Sequence, residues 1–72
     1  MTLAVYVSIL NRLVDGGMSL KKAYFACFGD NMEKHMIVQL YQESGTSRKL
    51  EKLLFREYSR FTRDEERQQT LV

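Results

Sequence analysis

The sequence predicts a small all-α domain, a compact bundle of four helices of which the second is short. The 72-residue chain has no proline, and its four glycines fall between stretches with a helical hydrophobic period. Apolar residues make up 44% of the chain and charged residues 28%, which is typical of a chain that folds. A chain this short buries only about 60% of the surface that it exposes when unfolded, so self-association is a natural supplement to its stability.

The first predicted helix runs from about Thr2 to Val14 and stops at the two glycines that follow Asp15. At about 100° per residue its apolar side chains cover one broad face, which Val5 and Ile9 widen further. We therefore expect this helix to pack against more than one neighbour.

The next two predicted helices are short and are delimited by capping residues. The second begins after Ser19, a favourable N-cap, and ends at Gly29, a residue suited to the left-handed conformation that follows a helix. The third is expected to open at Asp30, because Glu33 three residues later completes a pair that resembles a capping box, and to end at Gly45. Its helical period directs four side chains inward: Met36, Ile37, Leu40 and Tyr41.

The fourth predicted helix is the longest and runs from Ser47 to about Arg67. Its apolar seam consists of Leu50, Leu53, Leu54, Tyr58 and Phe61. The excess positive charge of the chain lies in the same segment, where two acidic residues, Glu51 and Glu57, accompany six basic ones, Arg48, Lys49, Lys52, Arg56, Arg60 and Arg63. We expect one domain of residues 1–67, followed by a frayed tail of residues 68–72 that has no periodicity.

No set of residues in the sequence predicts catalysis or metal binding. The chain has one histidine, His35, and one cysteine, Cys27, whereas a zinc site needs three or four ligands and a nucleophile needs a base. We therefore expect a non-enzymatic protein without a metal ion, cofactor or small-molecule substrate. A single cysteine fits a reducing compartment, and the N-terminal apolar run is too short to span a bilayer, so we expect a cytoplasmic protein with no membrane contact.

The basic stripe of the fourth helix supports two hypotheses about function. Its six cations are suited to the phosphates of duplex DNA, as in a small transcription regulator. The alternative is a helical adaptor or inhibitor that binds an acidic protein partner. Acidic residues near the stripe, Glu51, Glu57 and the run 64–66, would repel phosphate if they faced the same way, and a purely solvated helix face is the simplest explanation of the pattern.

Two further features extend these hypotheses. Phe55 projects about 140° from Leu50, off the apolar seam, and we assign it with Val5 and Ile9 to a homodimer or partner interface. The alternative is that its ring packs against the joint before the fourth helix. Residues 17–23 resemble the start of a helix-turn-helix unit, although Cys27 stands where a glycine is usual. The resemblance covers less than half of the chain and indicates no family.

Overall fold

The computed structural model, which describes residues 2–70 and the side chains of residues 2–67, confirms the all-α fold class. Its elements are α1 (Leu3–Asp15), α2 (Leu20–Phe28), α3 (Lys34–Gln42) and α4 (Arg48–Thr70), with no strand in the described range. None of these helices is long and apolar enough to cross a membrane. Of the tail expected to fray, residues 68–70 belong to α4, and Leu71 and Val72 lie outside the described residues.

Serine side chains cap the N-termini of α2 and α4, as the sequence predicts. Ser19 Oγ accepts a hydrogen bond from the backbone N–H of Lys22 at 3.3 Å, and Ser47 Oγ accepts one from that of Leu50 at 3.2 Å. Gly29 ends α2 with a φ of 70°, a left-handed conformation that glycine adopts without steric cost. Local signals therefore set these three helix ends.

The expected start of α3 at Asp30 is wrong, because the helix begins at Lys34. Glu33 is its N-cap residue but makes no side-chain capping bond, and Asp30 Oδ1 instead accepts the backbone N–H of Asn31 at 2.8 Å. The physical reason lies in the packing: α2 contacts α1, whereas α3 contacts α4. Residues 29–33 must therefore cross from one helix pair to the other in a non-helical conformation.

The helices pack as two neighbouring pairs, α1 with α2 and α3 with α4, and α4 also contacts α1 and α2. The broad face of α1 thus has two neighbours, as predicted. Within the described chain, α2 and α3 are not among the helix pairs in extensive contact, although a helix-turn-helix unit would pack them together. The resemblance of residues 17–23 to such a unit does not extend to the packing.

All four helices contribute to one apolar core. Its buried members are Val7, Leu10, Val14, Leu20, Ala23, Tyr24, Ile37, Leu40, Leu50 and Leu54. Beside them the ring of Phe28 stacks between those of Tyr6 and Tyr24, with centroids 4.3 Å and 4.4 Å away. Among the described side chains no polar or charged residue is buried, so the interior is held by apolar packing.

Asn11 links α1 to the joint between α3 and α4. Its Nδ2 donates a hydrogen bond to the carbonyl of Gly45 at 2.8 Å, and its Oδ1 accepts the backbone N–H of Ser47 at 2.9 Å. The helical period alone places Asn11 on the polar side of α1, yet its side chain is half-buried against this joint. Gly45 supplies the positive φ of 92° that the turn requires.

Two tyrosines expected to face inward are exposed instead. Tyr41 is 42% exposed and Tyr58 38% exposed, although Ile37 and Leu40 are buried as predicted and Met36 is half-buried. Because α1 and α2 pack on another side of α4, these helices leave the outer side of the α3–α4 pair uncovered. The tyrosines line that side.

Candidate binding surface on helix α4

The basic residues of α4 separate into two groups in the structure. One broad depression is lined by four of them, which we call the cationic face: Arg48, Lys52, Arg56 and Arg63. Lys49 is exposed, and the helical period places it at the edge of this face. Arg60 instead turns toward a cleft that Lys21 and Asp64 also line, and its Nη1 lies 3.2 Å from Glu57 Oε1.

The cationic face has no acidic partner among the side chains that the structure describes. The three ion pairs among the described side chains join Lys34 to Glu65, His35 to Glu33, and Arg60 to Glu57. Glu51 lines the same depression, but it forms no ion pair with the cations beside it. The weak pairing typical of a solvated helix face is present for Arg60 with Glu57, and the described side chains show no such pair for the four cations of the cationic face.

The spacing of these cations works against the stability of α4. Arg48, Lys52 and Arg56 follow one another at intervals of four residues, and like charges at this interval destabilise a helix by about 0.2–0.5 kcal/mol per pair. With a rise of ~1.5 Å per residue, the face extends about 22 Å from Arg48 to Arg63. Helix stability therefore does not favour this row of cations.

An apolar groove adjoins the cationic face. This α3–α4 groove has a volume of about 260 Å³ and is lined by Ile37, Val38, Tyr41, Gln42, Leu54, Phe55 and Tyr58. Ile37 and Leu54 lie beneath the groove and are buried, so its accessible surface is formed mainly by the exposed rings of Tyr41, Phe55 and Tyr58. Phe55 is the most exposed of these rings at 61%, so it is not packed away against the preceding joint.

Charged residues border the groove at one end and along its α4 side. At one end Lys34 Nζ donates to Glu65 Oε2 at 2.8 Å and lies 5.2 Å from the centroid of the Tyr58 ring. The hydrogen bond that Lys34 donates to Glu65 raises the pKa of Lys34, and the carboxylate balances its charge. Along the α4 side of the groove, Phe55 lines both the groove and the depression with the cationic face, as does Tyr41 of α3. The apolar and cationic parts therefore form one continuous surface.

The structure does not bring the three predicted interface residues together. Val5 is 43% exposed and Ile9 is half-buried on α1, but both depressions that Phe55 lines are formed by α3 and α4. The sequence pattern predicts an interface position for Phe55, but it places Tyr41 and Tyr58 on inward faces and does not single out Val38. The helical periods of α3 and α4 indicate that these residues share one surface only when it is known that the two helices pack side by side.

The residues with potential for other chemistry lie apart from this surface. Cys27 is half-buried, and burial raises the pKa of its thiol, which lowers its reactivity. No group of three or more histidine, cysteine or acidic residues in the described chain is placed to hold a metal ion.

No protein-family model matches the chain, and no curated protein or solved structure is significantly similar to it.

Proposed function

We propose that this small helical bundle is a non-enzymatic adaptor or inhibitor that recognises an acidic region of a protein partner through the cationic face of α4. The observation that carries the proposal is the position of Phe55, a largely exposed ring that lines the same depression as four cations of α4. Aromatic residues and arginine are enriched in the cores of protein interfaces, where the ring is desolvated and the guanidinium groups bind carboxylates.

The charge of the surface determines the chemistry of the partner. Carboxylates opposite Arg48, Lys52 and Arg56 would remove the repulsion between these neighbours and form charge-assisted hydrogen bonds. The same field would accelerate encounter with an acidic partner at low ionic strength. A second copy of this chain docked symmetrically on the same face would bring two cationic faces together, so we propose a different protein as the partner instead of a homodimer.

Duplex DNA is the second candidate partner, and regulation of transcription the corresponding function. It is favoured by the row of cations over about 22 Å, a length that reaches several phosphates. It ranks second because Phe55 lines the same depression, and an exposed ring gains nothing from contact with phosphate. Contact of all four cations with phosphates predicts that log affinity falls with log salt with a slope of about −4.

Affinity capture with matched charge reversals tests the proposal. The immobilised protein, the double variant R48E/R56E and the control K21E/K22E are each exposed to lysate with and without nuclease treatment. Both variants change the charge equally at exposed positions, but Lys21 and Lys22 belong to α2, outside the cationic face. We expect the protein and the control to retain the same partner after nuclease treatment, and R48E/R56E to lose it.

The opposite results are equally informative. Retention that disappears with nuclease treatment, together with a purified protein that binds duplex DNA with the slope given above, would replace the protein partner by nucleic acid. Loss of the partner in K21E/K22E but not in R48E/R56E would place the contact on α2 and overturn the proposal.

A further inference from the structure

We infer that the partner presents an amphipathic α-helix to this surface, with a large apolar side chain in the α3–α4 groove and carboxylates against the cationic face. This inference rests on the proposed function and adds the conformation and pattern of the segment that is recognised. It follows from the continuity of the groove and the cationic face, which meet at Tyr41 and Phe55.

The groove is suited to an apolar anchor. Its accessible surface is mostly aromatic and lies above the buried side chains of Ile37 and Leu54. A cavity of ~150 Å³ lined by apolar side chains holds a benzene ring, so a volume of about 260 Å³ admits a leucine, methionine or phenylalanine side chain. Burial of such a side chain between Tyr41 and Phe55 would also desolvate both rings.

A helix is the conformation that matches the walls of this groove. The walls are two helices, and the lining residues repeat at intervals of four: Ile37 and Tyr41 on α3, and Leu54 and Tyr58 on α4. This interval corresponds to about 6 Å along each wall, close to the ~5.4 Å pitch at which a third helix presents its own side chains. Helices also leave no unpaired backbone edge to which an extended strand could add.

The distribution of charge requires acidic residues on one flank of the bound helix. On the α4 side the groove passes at Phe55 into the cationic face, whereas on the α3 side it ends at uncharged Val38 and Gln42. A helix with its apolar stripe in the groove would therefore place carboxylates toward Arg48, Lys52 and Arg56 on one side only. An acidic segment without an apolar stripe would meet the cations but leave the groove empty.

Three synthetic peptides of about four helical turns test the inference by titration into the isotope-labelled protein. The first has a leucine stripe with glutamates along one flank. The second has the same composition with the glutamates moved to the face opposite the stripe, and the third keeps the flanking glutamates but replaces leucine by serine. We expect the first to bind at least tenfold more tightly than the other two and to shift the resonances of α3 and α4.

A matched pair of protein variants locates the anchor. Phe55→Ser is expected to weaken binding of the first peptide by about tenfold, because truncation of a central aromatic costs ~1.4 kcal/mol or more. Phe25→Ser is the control, since Phe25 is a similarly exposed ring, at 57%, on α2. Both substitutions lie at the surface, so the fold should persist in each.

The outcomes separate the inference from the proposed function. Equal binding of the leucine and serine peptides, with no effect of Phe55→Ser, would show recognition of charge alone and would overturn only the inference. If no acidic peptide binds at low ionic strength, whether or not duplex DNA binds, both the inference and the proposed function are overturned. Self-association that Phe55→Ser abolishes, measured by sedimentation, would make a second copy the occupant and overturn the helix from a partner.

Discussion

Replacement of Asn11 by alanine is expected to lower the free energy of unfolding by about 1–2 kcal/mol. The side chain makes two hydrogen bonds to the joint before α4, and a typical bond contributes ~1 kcal/mol to stability. Alanine recovers about 0.6 kcal/mol, because its helix propensity is higher than that of asparagine. The difference, about 1.4 kcal/mol, corresponds to a fall in Tm of roughly 6–11 °C for a domain of this size.

Thermal unfolding followed by circular dichroism measures this effect, and Ser8→Ala provides its control. Ser8 is exposed on the same helix, and alanine there raises helix propensity without removing a bond to the joint. Asn11→Asp should fall between Asn11→Ala and the unchanged protein, because it keeps the acceptor for the Ser47 N–H but loses the donor to Gly45. A Tm for Asn11→Ala at or above that of Ser8→Ala would show that the two bonds contribute nothing, and the reasoning would be refuted.

Three further changes test the core, a turn and a titrating group. Leu54→Ala should lower the free energy of unfolding by about 2–5 kcal/mol in chemical denaturation, because a fully buried side chain leaves a cavity; a cost below about 1 kcal/mol would contradict its central position. Gly29→Ala should cost about 1–2 kcal/mol by the same measurement, because its φ of 70° strains any residue with a Cβ, whereas Gly16→Ala, at a φ of −79°, should cost less. Burial, reinforced by nearby carboxylates, raises the pKa of Tyr24 above 10.0, so the folded state holds this proton more tightly than the unfolded state. The contribution of Tyr24 to the free energy of unfolding is therefore fully present below pH 10 and is lost as the pH rises through the folded-state pKa. Tyr24→Phe should remove this loss from the pH dependence of the free energy of unfolding.

The helix ends that the sequence predicts correctly are those determined by local chemistry. Ser19 and Ser47 cap the turns that follow them, and Gly29 accepts a conformation that other residues resist, so each acts within a few residues of its position. The start of α3 depends instead on the distance between two helix pairs. A capping pattern at Asp30 and Glu33 carries no information about that distance, and the expected boundary was wrong for this reason.

The candidate surface was predictable in part for the same reason. The helical period of α4 predicts its cations but groups Arg60 with them, whereas in the structure Arg60 pairs with Glu57 three residues before it. The groove was not predictable, because it exists only where α3 lies beside α4. The helical period of α3 predicts that Tyr41 faces inward, but this pattern does not show which part of the inward face the neighbouring helices cover.

The link through Asn11 has a kinetic consequence. Its two hydrogen bonds connect Asn11 to residues that are 34 and 36 positions away in the sequence. Each helix pair, in contrast, consists of two helices that follow each other in the sequence and are connected by a short segment. Contacts between sequence neighbours require little loop closure and form early in folding, so we expect the Asn11 bonds to form after the rate-limiting step. Asn11→Ala should then accelerate unfolding about tenfold and leave the folding rate nearly unchanged. In that case Asn11 prolongs the lifetime of the native bundle without helping to form it.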